Sequence, residues 1–234
     1  MGSLWNNLPL KGTTSNEAAL LSNTPIVGQS DQHHKPEFFG DLPPLPKPWE
    51  RQPIGAVSNP YAEYIDQKPP PRLEMSALAE GLNSNSDNFL FIFKAYDALQ
   101  ISATLTNSPL LNQGGAGLMI RKGKAQNAPF LFIGVSSGQI IVCRRDIVDG
   151  IVTNQYRQKG NETAITFALK NENNSVMPAY SIGTWNGPLL QTFRIDSTND
   201  LLVGLALWSG SGSKSAKACF IGAINGSGTV GKKN

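Results

Sequence analysis

Residues 130–145 read Phe-Leu-Phe-Ile-Gly-Val-Ser-Ser-Gly-Gln-Ile-Ile-Val-Cys-Arg-Arg, and they set the architecture that we predict for the rest of the chain. Two short runs rich in β-branched and aromatic residues are separated by Ser136-Ser-Gly138, about the spacing of a tight β-hairpin. Apolar runs of this length are typical of strands, because helices need longer segments with a wider repeat. The segment therefore predicts two antiparallel strands, Phe130 to Ser136 and Gln139 to Arg145.

The same rhythm extends outward from this hairpin. Short β-branched and aromatic runs recur about every 8 to 12 positions, punctuated by Gly, Asn, Ser or Asp. From Ile101 to Thr106, apolar and polar residues alternate strictly, which indicates one buried and one solvated face. The pattern predicts an all-β fold, a two-sheet antiparallel β-sandwich. The further predicted strands are Asn88 to Lys94, Leu99 to Thr106, Ala116 to Lys122, Ile151 to Tyr156, Thr163 to Leu169, Val176 to Ser181, Leu189 to Ile195, Leu201 to Trp208 and Ala216 to Ile224.

Three segments carry local expectations of their own. All residues from Phe89 to Phe93 are apolar, so we expect a strand that is covered on both faces. Leu73 to Leu82 has helix-forming composition and predicts a helical turn or two. Gly114-Gly-Ala-Gly117 leads into a predicted strand and not into a helix, so it does not fit a nucleotide-binding loop. We expect its glycines to serve a bulge or a sharp turn.

Proline divides the chain more sharply than any other residue, because twelve of the sixteen prolines lie at or before Pro71. Residues 1–50 are polar and aperiodic, and they predict an extended Pro-rich N-terminal arm with polyproline II from Pro43 to Pro48. Such an arm is a stiff spacer, a strip packed along a neighbour, or a P-x-x-P ligand for an SH3-like groove. The predicted domains are the arm 1–50, a sandwich 51–225 and a flexible tail 226–234.

Composition and the pattern of apolar residues limit the classes of binding partner and the cellular compartments that we expect. The net charge of +3 is too small and too evenly spread for a nucleic-acid partner. Apolar runs are far shorter than the roughly 20 residues of a membrane-spanning helix, so we expect no membrane insertion. Residues 1–9 show no basic n-region and no apolar h-region, hence no Sec signal peptide. The protein is then either cytoplasmic or exported by a non-Sec route.

Catalytic and metal-binding patterns are scarce in the predicted sandwich. The two histidines are His33 and His34 in the arm, which excludes a His-dependent triad or an imidazole metal site in the sandwich. Nearly all acidic residues from Asp87 onward fall in predicted turns, where Asp commonly bonds its own backbone, and no carboxylate pair for glycoside hydrolysis is found. We therefore expect no enzyme, no catalytic residues and no cofactor. A Ca²⁺ site built from turn aspartates stays open, without a ligand spacing to place it.

The two cysteines do not form a disulfide framework. Cys143 and Cys219 each lie within an apolar strand-like run, and we expect buried free thiols that behave as small hydrophobic residues. A single bridge between the two stays open at this point.

Aromatic and polar side chains suited to binding remain. Sugar recognition combines an aromatic plate against the apolar face of the ring with planar donors for its hydroxyl groups. Tyr180 and Trp185 lie in or beside polar strand ends and are candidate stacking groups. Arg121 and Arg145 are candidate hydroxyl donors.

Four segments together resemble a known family. They are Ser86-Asp-Asn-Phe-Leu-Phe-Ile-Phe93, Ile101-Ser-Ala-Thr-Leu105, Ala116-Gly-Leu-Met-Ile-Arg121 and Phe130-Leu-Phe-Ile-Gly-Val135. In this order they resemble the concanavalin A-like, laminin-G-like β-sandwich family known as DUF1349 or "regulation of enolase" domains. The A-G-L-M-I-R segment is the most specific part. The resemblance implies a two-sheet jelly roll, usually a non-catalytic module and often one that binds carbohydrate. This chain departs from the family at one hairpin, where the family has Asp-Gly and this chain has Ile182-Gly183.

Two hypotheses of function follow. The first is a lectin-like module that binds carbohydrate through Trp185, Tyr180, Arg121 and Arg145. The second is a structural or adaptor subunit of a larger assembly, such as a virion, an injection apparatus or a surface layer, whose arm docks on protein neighbours. Low charge and the long arm favour the second hypothesis. Ligand identity and homo-oligomerisation are left open by both.

Overall fold

The computed structural model describes residues 42–222 except 68, 83–86, 97–100, 108–113, 160–161, 173–174, 188–192, 195–200 and 213; side chains of 154–159, 171–172, 185 and 193–194 are also outside the description. All of the described residues belong to the unit Phe38–Asn234, one of two compact units of the chain. Most of the predicted arm and the predicted tail therefore lie outside the described residues. The division into arm, sandwich and tail stays a prediction.

Fifteen strands form in the described part of the chain. They are β1 (Glu50–Ile54), β2 (Ser58–Ile65), β3 (Arg72–Leu78), β4 (Phe89–Ala95), β5 (Ile101–Leu105), β6 (Gly115–Lys122), β7 (Phe130–Ser136), β8 (Gln139–Arg145), β9 (Thr153–Lys159), β10 (Ile165–Glu172), β11 (Ser175–Ile182), β12 (Trp185–Asn186), β13 (Phe193–Arg194), β14 (Leu201–Trp208) and β15 (Ala216–Ile221).

These strands make two antiparallel sheets. Sheet A has the order β1-β4-β14-β6-β7-β8-β9, and sheet B has the order β12-β11-β10-β5-β15-β3-β2, with β13 beside β11. The hairpin of β7 and β8 has the predicted bounds, and its turn residues Ser137 and Gly138 both have positive φ, at 50° and 70°. The two-sheet antiparallel β-sandwich is thus confirmed. Within the described residues, no helix is long and apolar enough to cross a membrane.

The helical prediction for Leu73 to Leu82 is wrong, because residues 72–78 form β3, which lies between β15 and β2 in sheet B. Leu73, Met75 and Ala77 are buried while the residues between them are half-buried, a repeat of two. Pairing with β2 on one side and β15 on the other overrides the helix-forming composition. Strands β1 and β2 contain no apolar run and were not predicted. They lie at the sheet edges, where prolines such as Pro53 and Pro60 are tolerated because one side of an edge strand has no hydrogen-bonded neighbour.

The Pro-rich stretch does not continue as polyproline II up to the sandwich. The chain turns at Lys47–Pro48, where the Trp49 amide donates to the Pro46 carbonyl over 3.0 Å. The Trp49 side chain is buried in the inter-sheet core, and Leu45 packs against the same core. Residues 45–49 are therefore part of the packed unit, and they do not act as a free spacer.

Sheet A is buried on both faces, as Phe89 to Phe93 led us to expect. Leu90 and Ile92 of β4 join the inter-sheet core, which contains residues of both sheets. Phe89, Phe91 and Phe93 lie on the outer face of sheet A, in a second apolar cluster with residues of β6, β7, β8 and β14. This outer face carries the features described below.

Gly115 and Gly117 do not form the expected bulge or turn, because both lie inside β6 in continuous register with β7. Gly115 instead makes room for the ring of Trp208, which is 5% exposed. A Cβ at position 115 would lie 2.1 Å from Cζ2 of that ring.

Both cysteines are free thiols, as the sequence predicted. Cys143 of β8 is buried in the outer cluster of sheet A, whereas Cys219 of β15 is half-buried in sheet B.

Candidate functional site

The outer face of sheet A holds a buried ion pair between Arg145, the last residue of β8, and Asp87, two residues before β4. Arg145 Nη1 lies 2.6 Å from Asp87 Oδ2, and Nη2 lies 2.9 Å from Oδ1. Neither side chain is exposed to solvent. Asp87 lies outside the strands, as most acidic residues were expected to, but its carboxylate accepts hydrogen bonds from an arginine 58 positions away.

Arg121 of β6 is buried on the same face but is less completely paired. Its Nη2 donates to the Ala125 and Gln126 carbonyl oxygens. Nε and Nη1 are buried, and they have no acceptor among the described residues. The guanidinium lies 5.1 Å from the ring centroid of Phe89, which compensates part of its lost hydration. Burial lowers the pKa of Arg121 to about 10, so the side chain is charged at neutral pH.

The two arginines anchor two loops that fold toward this face. Arg121 holds residues 123–129 between β6 and β7 through the two carbonyl bonds given above. Arg145 holds residues 146–152 between β8 and β9, because its Nε donates to the Gly150 carbonyl over 2.9 Å. The loops are also joined directly, since Asn127 Nδ2 donates to Asp149 Oδ1 over 2.7 Å. We call these segments the 123–129 loop and the 146–152 loop.

A groove of about 690 Å³ lies between the two loops. Its walls come from the 123–129 loop, from residues 146–148, from Ala95 at the end of β4, and from Leu201 and Leu202 at the start of β14. Ala125, Ala128 and Pro129 make the wall of the first loop apolar. The groove therefore presents mostly apolar surface at one end of sheet A.

Three charged side chains line the groove. Lys124 pairs with Glu50 at 2.8 Å, and Asp146 pairs with Arg144 at 3.0 Å. Lys122 is exposed, and no carboxylate lies within ion-pair distance of it in the described part of the chain. Among the described lining residues, the first two charges are neutralised locally and Lys122 leaves one net positive charge at the rim.

Large apolar side chains project from the 146–152 loop into solvent. Ile147 is 69% exposed and Val148 is 61% exposed, and both line the groove. Ile151 is 74% exposed and does not line it. Three exposed aliphatic side chains on one loop are unusual for a surface without a partner. In the sequence, these side chains belong to the run Ile147-Val-Asp-Gly-Ile151, in which apolar residues flank the turn-forming pair Asp149-Gly150.

The four predicted binding residues do not come together. Arg121 and Arg145 are each 1% exposed on the outer face of sheet A, where all three nitrogens of Arg145 donate to protein oxygens. Tyr180 of β11 belongs to sheet B and is 3% exposed, with its ring in the inter-sheet core. Trp185 lies in β12 at the edge of sheet B, and its side chain is outside the described residues.

One carboxylate pair that the sequence did not predict lies in sheet B. Glu63 of β2 and Glu74 of β3 are directly opposite each other in the ladder. Each is held by a neighbour on its own strand: Tyr61 Oη donates to Glu63, and Arg72 Nε donates to Glu74 over 2.8 Å. Among the described residues, no group of three or more His, Cys, Asp or Glu side chains could hold a metal ion. The pair is therefore best explained by ladder and side-chain contacts within sheet B.

Comparisons with known proteins return structural likeness at low identity. No family model matches the chain, and no curated protein matches it. A functionally unknown protein from Saccharomyces cerevisiae is similar over 72% of this chain and 94% of its own, at 14% identity and a TM-score of 0.49. The GH43 protein BlXynB from Bacillus licheniformis is similar over 67% of this chain and 33% of its own, at 13% identity and a TM-score of 0.48.

A GH43_12 protein retrieved from a capybara gut metagenome is similar over 56% of this chain and 28% of its own, at 12% identity and a TM-score of 0.39. This chain thus spans about a third or less of the two GH43 proteins. Likeness at this level carries no argument about activity.

Proposed function

We propose that this chain is a non-catalytic binding module that docks an apolar segment of a partner protein in the groove between its two loops, as an adaptor or structural subunit of a larger assembly. The observation that carries the proposal is the groove of about 690 Å³ with Ile147 and Val148 exposed along its wall. An apolar centre with a charged rim is the usual anatomy of a protein interface.

The energetics support a partner that covers the groove wall. Complete burial of a Val or Ile side chain contributes about 1.5–3 kcal/mol relative to full exposure. Ile147 and Val148 are already more than half exposed, so most of that contribution is still available to a partner. Bond-making chemistry is less well supported, because the titratable groups that line the groove are two lysines and an aspartate, and the aspartate is paired.

Random-peptide display against the purified chain tests this proposal. We expect selection of apolar peptides by the wild-type protein, with binding lost in the variant Ile147→Ser/Val148→Ser. Ile151→Ser is the matched control, because Ile151 is equally exposed but lies outside the groove. Failure to enrich any peptide, or equal binding by the groove variant, contradicts the proposal.

The N-terminal arm belongs to the same proposal as a docking element for neighbours. Residues 1–41 lie outside the described residues, whereas Trp49 is part of the core. A deletion of residues 1–37 leaves the compact unit Phe38–Asn234 whole. We expect the truncated chain to keep its fold and its peptide binding but to lose assembly with its neighbours, as measured by size-exclusion chromatography with light scattering. An unchanged assembly state would remove the arm from the proposal.

Carbohydrate binding is the second candidate, and Trp185 at the edge of sheet B favours it. Backbone pairing with β11 places Trp185 opposite Ile182 and Asn186 opposite Ser181, and Asn186 is exposed and offers an amide at this edge. The resemblance of Ala116-Gly-Leu-Met-Ile-Arg121 to the DUF1349 domains supports this candidate, and we propose membership of that family on the same motif. A glycan array with wild type and Trp185→Ala tests it. Equal signals from the two proteins would exclude Trp185 as the sugar-binding residue.

A further inference from the structure

We infer that the segment docked in the groove carries an acidic side chain, and that Lys122 is the residue that recognises it. This inference rests on the proposed docking function and adds the chemistry of the partner. It follows from the charges of the described residues around the groove, among which one exposed cation and one buried cation form no ion pair.

The exposed cation is Lys122, the last residue of β6. Its neighbours Lys124 and Asp146 each have an oppositely charged partner within 3.0 Å. Lys122 has none among the described residues, and its side chain is exposed beside apolar walls. A carboxylate that reaches this position gains an ion pair without breaking one inside the protein.

The buried cation lies directly behind the same wall. Arg121, Arg145 and Asp87 sum to one positive charge, and both oxygens of Asp87 are used by Arg145. The remaining charge belongs to Arg121, whose Nη2 donates to the carbonyl of Ala125, and Ala125 lines the groove. A buried charge is screened less than an exposed one, so its positive potential extends into the adjoining groove.

These two cations favour an acidic residue over a neutral or basic one in the bound segment. Nucleic acid is disfavoured, because neutralising several phosphates needs a row of lysines or arginines and the groove offers few. The exposed Ile147 and Val148 require that the acidic residue lie within an apolar sequence. The partner is therefore a protein segment in which aliphatic residues flank an Asp or Glu.

The experiment uses peptides selected by display on the wild-type chain. We expect a consensus in which an Asp or Glu lies among aliphatic residues. Measured by fluorescence anisotropy, Lys122→Glu should weaken such a peptide about tenfold, as expected for loss of an exposed ion pair plus repulsion of like charge. Lys217→Glu in β15 is the matched control: it makes the same change on an exposed lysine of sheet B, and it should leave affinity unchanged.

Each other outcome is decisive. An apolar consensus without an acidic residue overturns this inference and leaves the docking function standing. Unchanged affinity of Lys122→Glu, in a protein whose thermal unfolding matches wild type, also overturns it. Lys122-dependent sedimentation with phosphatidylserine vesicles, together with no peptide selection, would assign the groove to an anionic membrane surface and overturn both proposals.

Discussion

Asp87 and Arg145 share two hydrogen bonds of 2.6 and 2.9 Å, with both side chains fully removed from solvent. The pair connects a residue that lies two positions before β4 to the last residue of β8. Arg145 also bonds Gly150, so the same guanidinium positions the 146–152 loop. The position of the 146–152 loop, which forms one wall of the groove, therefore depends on a buried ion pair.

Asp87→Asn should be strongly destabilising, because it removes the negative charge that pairs with the buried guanidinium of Arg145. Removing one partner of a buried pair typically costs about 3–5 kcal/mol. Urea unfolding followed by far-UV circular dichroism measures the loss. Asp146→Asn is the control, since its pair with Arg144 is largely exposed and should contribute less than about 1 kcal/mol. Equal losses in the two variants would contradict a structural role for the buried pair.

Arg121→Met should cost less stability than Arg145→Met. Methionine keeps much of the length and apolar contact of arginine while it removes a buried charge, two of whose nitrogens have no acceptor in the described part of the chain. In Arg145→Met the carboxylate of Asp87 stays buried but loses both hydrogen bonds from the guanidinium, with a cost of about 3–5 kcal/mol. We expect the unfolding free energies of the two variants to differ by about 2 kcal/mol or more. The reverse order would show that Arg121 is the better compensated arginine.

Gly115→Ala should disturb the packing of Trp208, because the added Cβ would lie 2.1 Å from the indole ring. Overpacking of this kind costs about 1–3 kcal/mol. Thermal unfolding measures the loss, and Trp fluorescence reports the displaced ring. Gly115→Ala should cost less unfolding free energy in a Trp208→Phe background than in the wild type, because the smaller ring leaves room for the added Cβ. Strict additivity of the two changes would contradict the contact.

Tyr61 should ionise above its ordinary pH. Its hydrogen bond to Glu63 raises the pKa of the phenol above 10, with a smaller contribution from the charge of Glu74. Because the folded pKa exceeds the unfolded one, this contribution to stability is complete below about pH 10 and is lost as the pH rises through the folded pKa. Ultraviolet titration at the phenolate band, with Tyr61→Phe as reference, isolates the residue.

Glu63→Ala should return that pKa toward its ordinary value, whereas Glu74→Ala should move it less, because Glu74 acts only through its charge. Shifts of equal size in the two variants would contradict the assignment to the hydrogen bond.

Periodicity alone was enough to predict the sandwich, because alternating or continuous apolar runs specify strands independently of their partners. The hairpin of residues 130–145 was predicted to the residue. The secondary structure predicted from the sequence was wrong where pairing with neighbouring strands determined the conformation. Leu73 to Leu78 has helix-forming composition, yet two neighbouring strands hold it in sheet B. The short edge strands β1 and β2 likewise depend on the ladders that they complete.

Local sequence patterns did not predict the candidate site. Arg121 and Arg145 were recognised as notable, but their surroundings depend on residues distant in the chain, such as Asp87. Tyr180 is directed into the core by the strand on which it lies, which no composition argument reveals. Charge, turn chemistry and strand periodicity are local properties that the sequence by itself determined. Which side chains are buried, which charges lack a partner and where a groove opens were decided only by tertiary structure, because each depends on the distance between segments far apart in the chain.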